Sequence, residues 1–198
     1  MSNEINASIV LAGVGGQGTL IAGKLLGILA MNLGLDVKVS EVHGMSQRGG
    51  DVQSNLRIST EPVHSDLIPK GGADLIVSLE PMEALRYLPY LSKDGWIITN
   101  TTPFVNIPNY PDIDALMAEL KKYPNVIALD VDAIAKEIMS PRSANMVLLG
   151  ATAAVMSILD PEKLKDGIRR IFARKGEEVV EANIKAFDAG LQYSQKNK

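Results

Sequence analysis

The sequence predicts an α/β fold: a single Rossmann-like domain with a mostly parallel sheet and a C-terminal helical portion. Three observations predict it. A short β-branched apolar run, Ala7-Ser8-Ile9-Val10-Leu11-Ala12, ends in a glycine-rich turn. The next segment, Thr19 to Leu33, repeats apolar residues at helical spacing (Leu20, Ala22, Leu25, Leu26, Leu29, Leu33) and stops at Gly34. Val37 to Val42 then returns to strand character. Strand, glycine turn, helix and strand in that order make a β-α-β unit, which calls for a parallel sheet and a right-handed crossover.

The later elements follow by the same reading. Val52 to Ile58 alternates polar and apolar residues, as a half-exposed strand does. Ala73 to Leu79 is a buried strand, and Pro81 suits the first turn of a short helix through Tyr90. Trp96 to Thr99 and Val126 to Leu129 are further strands, with a surface helix or an insertion between them in Tyr110 to Lys122. Asp132 is expected to cap a helix running to Met139, which Pro141 stops. Asn145 to Leu159 is apolar on nearly every side, so it is buried on more than one face or sits in a subunit interface. Pro161 to Ala173 and Glu177 to Tyr193 are amphipathic helices, and the Lys-rich end reads as a frayed tail. The expected organisation is one domain over 1–198, with an α/β core over about 1–140 and helices over about 141–198 that pack on it or on a partner.

Composition narrows the function. The chain has 198 residues, 46% apolar and 22% charged, a globular balance around one core of ordinary size. A net charge of −3 offers no broad basic field for nucleic acid. With no cysteine there is no disulfide, no thiolate nucleophile and no cysteine-ligated zinc or iron–sulfur cluster. Redox chemistry would need a borrowed cofactor or another subunit. Two histidines, His43 and His64, are too few for a histidine-rich metal site, and no metal is expected in this chain. His64 has no motif around it and reads as a surface residue. No basic segment precedes an apolar run at the N-terminus, and the apolar stretches are broken before a membrane-spanning length. A cytoplasmic protein without membrane association is expected.

Gly13-Val14-Gly15-Gly16-Gln17-Gly18 follows a strand and opens a helix, the context that gives a G-x-G-x-x-G pattern meaning. The first glycine permits the tight turn, the second lets backbone approach a phosphate, and the third lets helix pack on strand. Free N–H groups and the helix dipole then favour an anion. The bland alternative is a tight turn and nothing more. Glu41 stands at the end of the second strand, where a dinucleotide-binding domain holds an acidic residue for a ribose hydroxyl. The following His43-Gly44-Met45-Ser46-Gln47-Arg48-Gly49-Gly50 replaces the short connection of such a domain.

Ligands of open α/β sheets sit outside the carboxyl ends of the strands, and both loops lie there. The candidate ligand contacts are Gly13, Gly15, Gly16, Gln17 and Gly18 on the first loop and Ser46, Gln47 and Arg48 on the second. Arg48 suits bidentate pairing with a carboxylate or phosphate. His43 could shuttle a proton or simply hydrogen-bond. His43 and Arg48 are the candidates for a direct catalytic part.

These residues carry a resemblance. Ala12-Gly13-Val14-Gly15-Gly16-Gln17-Gly18 with its helix resembles the gamma-type domain of the 2-oxoacid:ferredoxin oxidoreductases. Glu41 to Gly50, then Val52 and Leu56-Arg57-Ile58, resembles the beta subunit of the indolepyruvate oxidoreductases in particular. So do Ala144 to Ala151 and the Asn183, Ala186, Phe187, Gly190 pattern, and the resemblance spans nearly the whole chain. Met45-Ser46-Gln47 stands where pyruvate- and 2-oxoglutarate-type relatives carry an acidic residue before the arginine, which favours the aryl-pyruvate branch.

The resemblance implies an enzyme that decarboxylates an aryl-2-oxoacid on thiamine diphosphate, passes electrons through iron–sulfur clusters to ferredoxin and makes an arylacetyl-coenzyme A. It also implies that thiamine diphosphate, its magnesium ion and the clusters belong to a catalytic alpha subunit. This chain would then help form the coenzyme A or substrate crevice beside the active site and be inactive alone. Two rival readings remain: a stand-alone NAD(P)-binding dehydrogenase using Glu41, and a scaffolding Rossmann domain that needs nothing from Gln47 or Arg48.

Overall fold

The computed structural model describes residues 5–15, 18–44 and 49–198. Among these residues six strands form one sheet: β1 (Asn6–Val14), β2 (Asp36–His43), β3 (Asp51–Ser59), β4 (Ala73–Ser78), β5 (Leu91–Asn100) and β6 (Val126–Leu129). Their order across the sheet is β2-β3-β1-β4-β5-β6. The pairs β1–β4, β4–β5 and β5–β6 are parallel, whereas β3 runs antiparallel to both β1 and β2. Five strands therefore point one way, and the sheet is mostly parallel.

The first β-α-β unit differs from the expectation. β1 and β2 run in the same direction, but β3 lies between them: Leu56 pairs with Ile9 on one side and with Val39 on the other. Val52 to Ile58 is thus an interior strand rather than a half-exposed one, and Ser54, Asn55, Leu56 and Ile58 are all buried. β2 becomes the sheet's edge.

Among the described residues seven α-helices accompany the strands: α1 (Thr19–Asn32), α2 (Pro81–Arg86), α3 (Ile113–Leu120), α4 (Val131–Glu137), α5 (Ala144–Val155), α6 (Pro161–Phe172) and α7 (Glu177–Asn197). The larger core joins Ile9, Leu11, Leu75, Val77 and Ile98 of the sheet to residues of α1, α5, α6 and α7. The opposite sheet face presents Val10, Ala12 and Ile76 to Ile68 and Tyr87, and Ile97 to Ala84 and Leu120. Alternate strand residues thus serve the two layers, as the two-residue strand period requires.

α1 ends near Gly34, whose φ of +75° glycine adopts without strain. Every residue of α5 from Met146 to Ala153 is buried within this chain. That part of the segment is covered by this chain itself, while 154–158 is partly exposed. α5 crosses α7 with backbone against backbone: a Cβ at Gly150 would overlap the Phe187 carbonyl, and one at Gly190 the Val147 carbonyl.

Two helix ends also depart from expectation. Asp130, not Asp132, caps α4, accepting from Ala133 N at 2.8 Å, while Asp132 turns to the Asn100 amide at 3.2 Å. The C-terminal lysines do not fray from the fold: α7 continues to Asn197 and the Lys198 ammonium sits 5.9 Å from the Trp96 ring centre. Among the described residues no helix is long and apolar enough to cross a membrane.

Candidate functional site

The strand directions gather the carboxyl ends of β1, β2, β4, β5 and β6, and the start of β3, along one edge of the sheet. The glycine turn leaves β1 there. Gly13 is buried and pairs with Val52. The Gly15 N–H donates to the Gly50 carbonyl at 2.8 Å, tying the turn to the loop before β3. That amide is therefore occupied by protein and is not one of the free N–H groups expected of the turn.

Gly18 precedes α1 with φ +86°, and a Cβ there would stand 2.8 Å from the Asn145 side-chain amide. The third glycine is thus required by its backbone angle and by Asn145. Close helix-to-strand approach falls instead on Gly23, where a Cβ would lie 3.1 Å from Ser54 Oγ. Through Gly18 and Asn145 the N-terminal ends of α1 and α5 meet. Thr19, 4% exposed, has a hydroxyl with no hydrogen-bond partner among the described residues. It lines, with Asn145, Leu11 and Leu79, a cavity of about 10 Å³, the size of one water.

Gly16, Gln17, Ser46, Gln47 and Arg48 lie outside the described residues. His43 is exposed at the end of β2, its Nδ1 3.3 Å from the Gly44 carbonyl, and the structure brings it to no other candidate residue described. His64 is exposed. Glu41 is exposed on the α1 side of β2, lining with Leu20, Lys24, Met31 and Val39 an open groove of about 540 Å³. Ser54 of β3 separates Glu41 from Leu11 of β1. Two strand spacings, about 10 Å, therefore part Glu41 from the strand that carries the glycine turn. That removes the adjacency a dinucleotide domain needs.

The structure adds an acidic and phenolic network that the sequence reading missed. Asp51 opens β3 directly after Gly49 and Gly50. The Tyr87 hydroxyl donates to both Asp51 carboxylate oxygens, at 3.0 and 2.8 Å. Glu83, 3% exposed, takes Arg86 in a fork, Nε at 2.8 Å and Nη2 at 3.2 Å. Burial raises the Glu83 pKa above its ordinary 4.5, and the nearby Asp51 carboxylate adds to this; Arg86 opposes them. Burial first, then Asp51, pushes the Tyr87 phenol well above its usual range.

Glu80 is fully buried beside them. It caps α2 by accepting from Glu83 N at 2.8 Å, and it also accepts from Phe104 N at 3.3 Å and from the Tyr110 hydroxyl. Burial, then Glu80, raises the Tyr110 phenol as well. The only sequence signal for this cluster was Glu80-Pro81 at a helix start; nothing in the spacing tied Asp51, Glu83 or Tyr110 to it.

The loop over 101–110 completes the edge. Asn106 Nδ2 donates to the Gly49 carbonyl at 2.7 Å, while Phe104, Val105 and Ile107 remain exposed. Among the described residues no three His, Asp or Glu side chains converge as metal ligands would.

A family model described as pyruvate ferredoxin/flavodoxin oxidoreductase matches residues 8–193. The chain is 37% identical over 191 residues to the indolepyruvate oxidoreductase subunit IorB of Archaeoglobus fulgidus, covering 92% of each chain. Among solved structures, the gamma subunit of keto/oxoacid ferredoxin oxidoreductase from Geobacter sulfurreducens has the same fold, with TM-score 0.74 at 24% identity over 97% of this chain and 98% of that one. The 2-oxoglutarate:ferredoxin oxidoreductase of Magnetococcus marinus, solved with 2-oxoglutarate, coenzyme A and succinyl-CoA bound, gives TM-score 0.76 at 25% identity, over 96% of this chain and 31% of that one. The sheet order, the glycine turn and these likenesses agree, and the chain belongs to the pyruvate ferredoxin/flavodoxin oxidoreductase family, on the branch of the indolepyruvate oxidoreductase IorB subunits.

Proposed function

We propose that this chain is the subunit of an indolepyruvate:ferredoxin oxidoreductase that forms the coenzyme A side of the active-site crevice and docks the catalytic subunit. As a family member it is a subunit of a hetero-oligomeric 2-oxoacid:ferredoxin oxidoreductase. Two things support indolepyruvate or another aryl-pyruvate as substrate: the IorB relatives and the Met45-Ser46-Gln47 stretch.

The observation that carries the crevice is the meeting of the α1 and α5 N-terminal ends at Gly18, Thr19 and Asn145. Helix N-termini favour anions. The Asn145 amide adds a neutral donor, and no carboxylate stands in the glycine turn itself. This donor set fits a phosphate group. In the proposal Gly13, Gly15, Gly16, Gln17 and Gly18 bring backbone close to the coenzyme A phosphates, and Ser46, Gln47 and Arg48 are further contacts to them. Arg48 supplies the charged fork.

The catalytic partner is proposed to hold thiamine diphosphate, magnesium and the iron–sulfur clusters, and to pass electrons to ferredoxin. The lack of any cysteine in this chain supports that division. When bound in the partner, thiamine diphosphate supplies the carbanion chemistry of decarboxylation. This chain's residues bind, orient and shield the acceptor of the acyl group. The exposed Phe104, Val105 and Ile107 at the same edge support a partner seated there.

The dehydrogenase reading loses support because β3 separates Glu41 from β1. The test is steady-state kinetics of the reconstituted complex with coenzyme A varied at saturating 2-oxoacid. Arg48→Ala is expected to raise KM for coenzyme A about thirtyfold, the equivalent of about 2 kcal/mol. Arg48→Lys should recover little, because an ammonium lacks the fork. The isolated chain should not oxidise indolepyruvate. Wild-type coenzyme A kinetics in Arg48→Ala, or turnover by the isolated chain, would overturn the proposal.

A further inference from the structure

The 101–110 loop is held more firmly than its exposure suggests. At its start Thr102 donates its N–H to Asn100 Oδ1 and its hydroxyl to Asp130 Oδ1, both at 3.2 Å. Farther along, the Phe104 N–H and the Tyr110 hydroxyl both donate to Oε1 of Glu80, a carboxyl group at 0% exposure. A buried carboxyl group is retained only where such bonds satisfy it, so Glu80 fixes the loop at two points from beneath.

Between those points Asn106 reaches out. Its amide is exposed to solvent and yet donates to the Gly49 carbonyl, 57 residues away in sequence, at 2.7 Å. The next carbonyl, that of Gly50, accepts the Gly15 N–H at 2.8 Å. One chain of hydrogen bonds therefore runs from buried Glu80, through the 101–110 loop and Asn106, into the Gly49-Gly50 backbone and on to the glycine turn. Gly49 has φ +76° and no Cβ to brace it, so its carbonyl direction depends on what binds it.

We propose that Asn106 is a positioning residue. With Glu80 and Tyr110 as its anchor, it sets the Gly49-Gly50 backbone against Gly15 and so fixes the spacing of the two loops that border the coenzyme A crevice. Its link to coenzyme A rests on the function proposed above; the hydrogen-bond chain does not. Asn106 does not touch the reacting atoms in this scheme. It acts through Gly49, so its loss should weaken coenzyme A binding more than it slows a saturated enzyme.

The experiment uses the reconstituted complex carrying Asn106→Ala, Asn106→Asp and Asn106→Gln, with Tyr110→Phe as a test of the anchor. Two quantities are read: KM and kcat with coenzyme A varied, and amide hydrogen exchange of the peptides holding Gly15 and Gly49-Gly50. Asn106 is exposed, so these variants should fold; because Phe104, Val105 and Ile107 beside it face the proposed partner, assembly of each complex is measured by size-exclusion chromatography, and lost assembly would overturn the positioning role in favour of a docking one. Asn106→Ala should raise KM for coenzyme A about fivefold with kcat within about twofold of wild type, the loss expected of one neutral hydrogen bond. Asn106→Asp should be at least as severe, because it sets a carboxylate against a carbonyl, whereas Asn106→Gln restores a donor and part of the affinity. Exchange at Gly15 should quicken in the first two variants, and Tyr110→Phe should act in the same direction more weakly.

Quickened exchange with a raised KM supports the proposal in full. Quickened exchange with an unchanged KM supports the positioning role and overturns the coenzyme A reading. A raised KM with unchanged exchange overturns positioning, because Asn106 would then act on the ligand itself. No change in either overturns the inference.

Discussion

Between α5 and α7 the chain buries backbone against backbone; at the carboxyl edge of the sheet it buries carboxyl groups. The first region is built by removing side chains. Gly150 and Gly190 let two helices approach until each lies on a carbonyl of the other, and Phe187 fills the space beside them at 0% exposure. The second is built by satisfying polar groups. Glu80 and Glu83 are as buried as core residues, yet each is held by named donors. Dispersion and exclusion of water hold the helix crossing, whereas the edge depends on hydrogen-bond geometry that water or pH can change. The helix crossing gives the fold its rigidity. The edge gives loops on a rigid support, the usual place for function.

The largest effect is expected where there is no room at all. Alanine for glycine inside a helix ordinarily stabilises by about 1 kcal/mol through backbone entropy. At Gly150 and Gly190 the sign should reverse. The new Cβ meets backbone, which cannot rotate away, so the helices must part, at about 3 kcal/mol or more for Gly190→Ala. Urea unfolding of the single and double variants checks this. The double variant should lose less than the sum, because one separation of the helices relieves both clashes. Near-wild-type midpoints would mean that the crossing is looser than this packing requires.

This contrast also explains what was legible in the sequence. The glycine turn, the α1 repeat and the β4 and β6 runs are local patterns, and each element stands where its pattern lies. Strand order is not local. Val52 to Ile58 alternates because its two faces meet different things, not because one meets water. Ser54, Leu56 and Ile58 lie on the α1 side, while Arg57 on the other side donates to the Ser65 carbonyl at 3.1 Å. Chain folded over that face mimics solvent in the pattern.

The acidic network was illegible for a similar reason. Charged residues near a helix start read as surface, and only the fold shows that Glu80, Glu83 and Asp51 come together beneath the loops. Of the predicted site, the structure brings Gly13, Gly15 and Gly18 to the edge and leaves His43 apart from them. Asn145 enters the sequence reading as the start of an apolar helix and within a family resemblance, not as a site residue. Its contact with Gly18 depends on how α5 enters the core, which no local spacing encodes.

A smaller effect should separate the two regions by pH. In the folded state the Glu83 pKa lies above its ordinary 4.5, mainly through burial, with Asp51 contributing and Arg86 opposing. Between 4.5 and that raised value the folded chain binds more protons than the unfolded one, so Glu83 lowers stability as pH rises through this window. Glu83→Gln cannot titrate. Its stability relative to wild type should therefore climb from pH 4.5 upward and then level off, even though it loses the charged fork to Arg86. Denaturant midpoints across that range for both proteins test the sign. The same series on Gly190→Ala should run parallel to wild type, because the helix crossing has no titrating group. A falling relative stability for Glu83→Gln would mean that Arg86 dominates and that the edge is held by its ion pair.

The smallest effect tests whether the edge loop stabilises the fold as well as shaping the site. Asp112 and Asp130 cap α3 and α4 in the same way, accepting from Ala115 N at 3.0 Å and from Ala133 N at 2.8 Å, and both are exposed. Removing either cap should cost about 1 kcal/mol. Asp130 has one further partner, the Thr102 hydroxyl at the start of the 101–110 loop. Asp130→Ala should therefore cost more than Asp112→Ala, by about 0.5 kcal/mol for one exposed hydrogen bond. Thr102→Val isolates that bond, since it keeps the side chain's shape without a hydroxyl. In a double-mutant cycle of Thr102→Val with Asp130→Ala, the coupling should match the excess. If the two caps cost the same and the cycle shows no coupling, the loop is held by Glu80, Tyr110 and Asn106 alone. The edge would then be a binding device resting on the fold without supporting it.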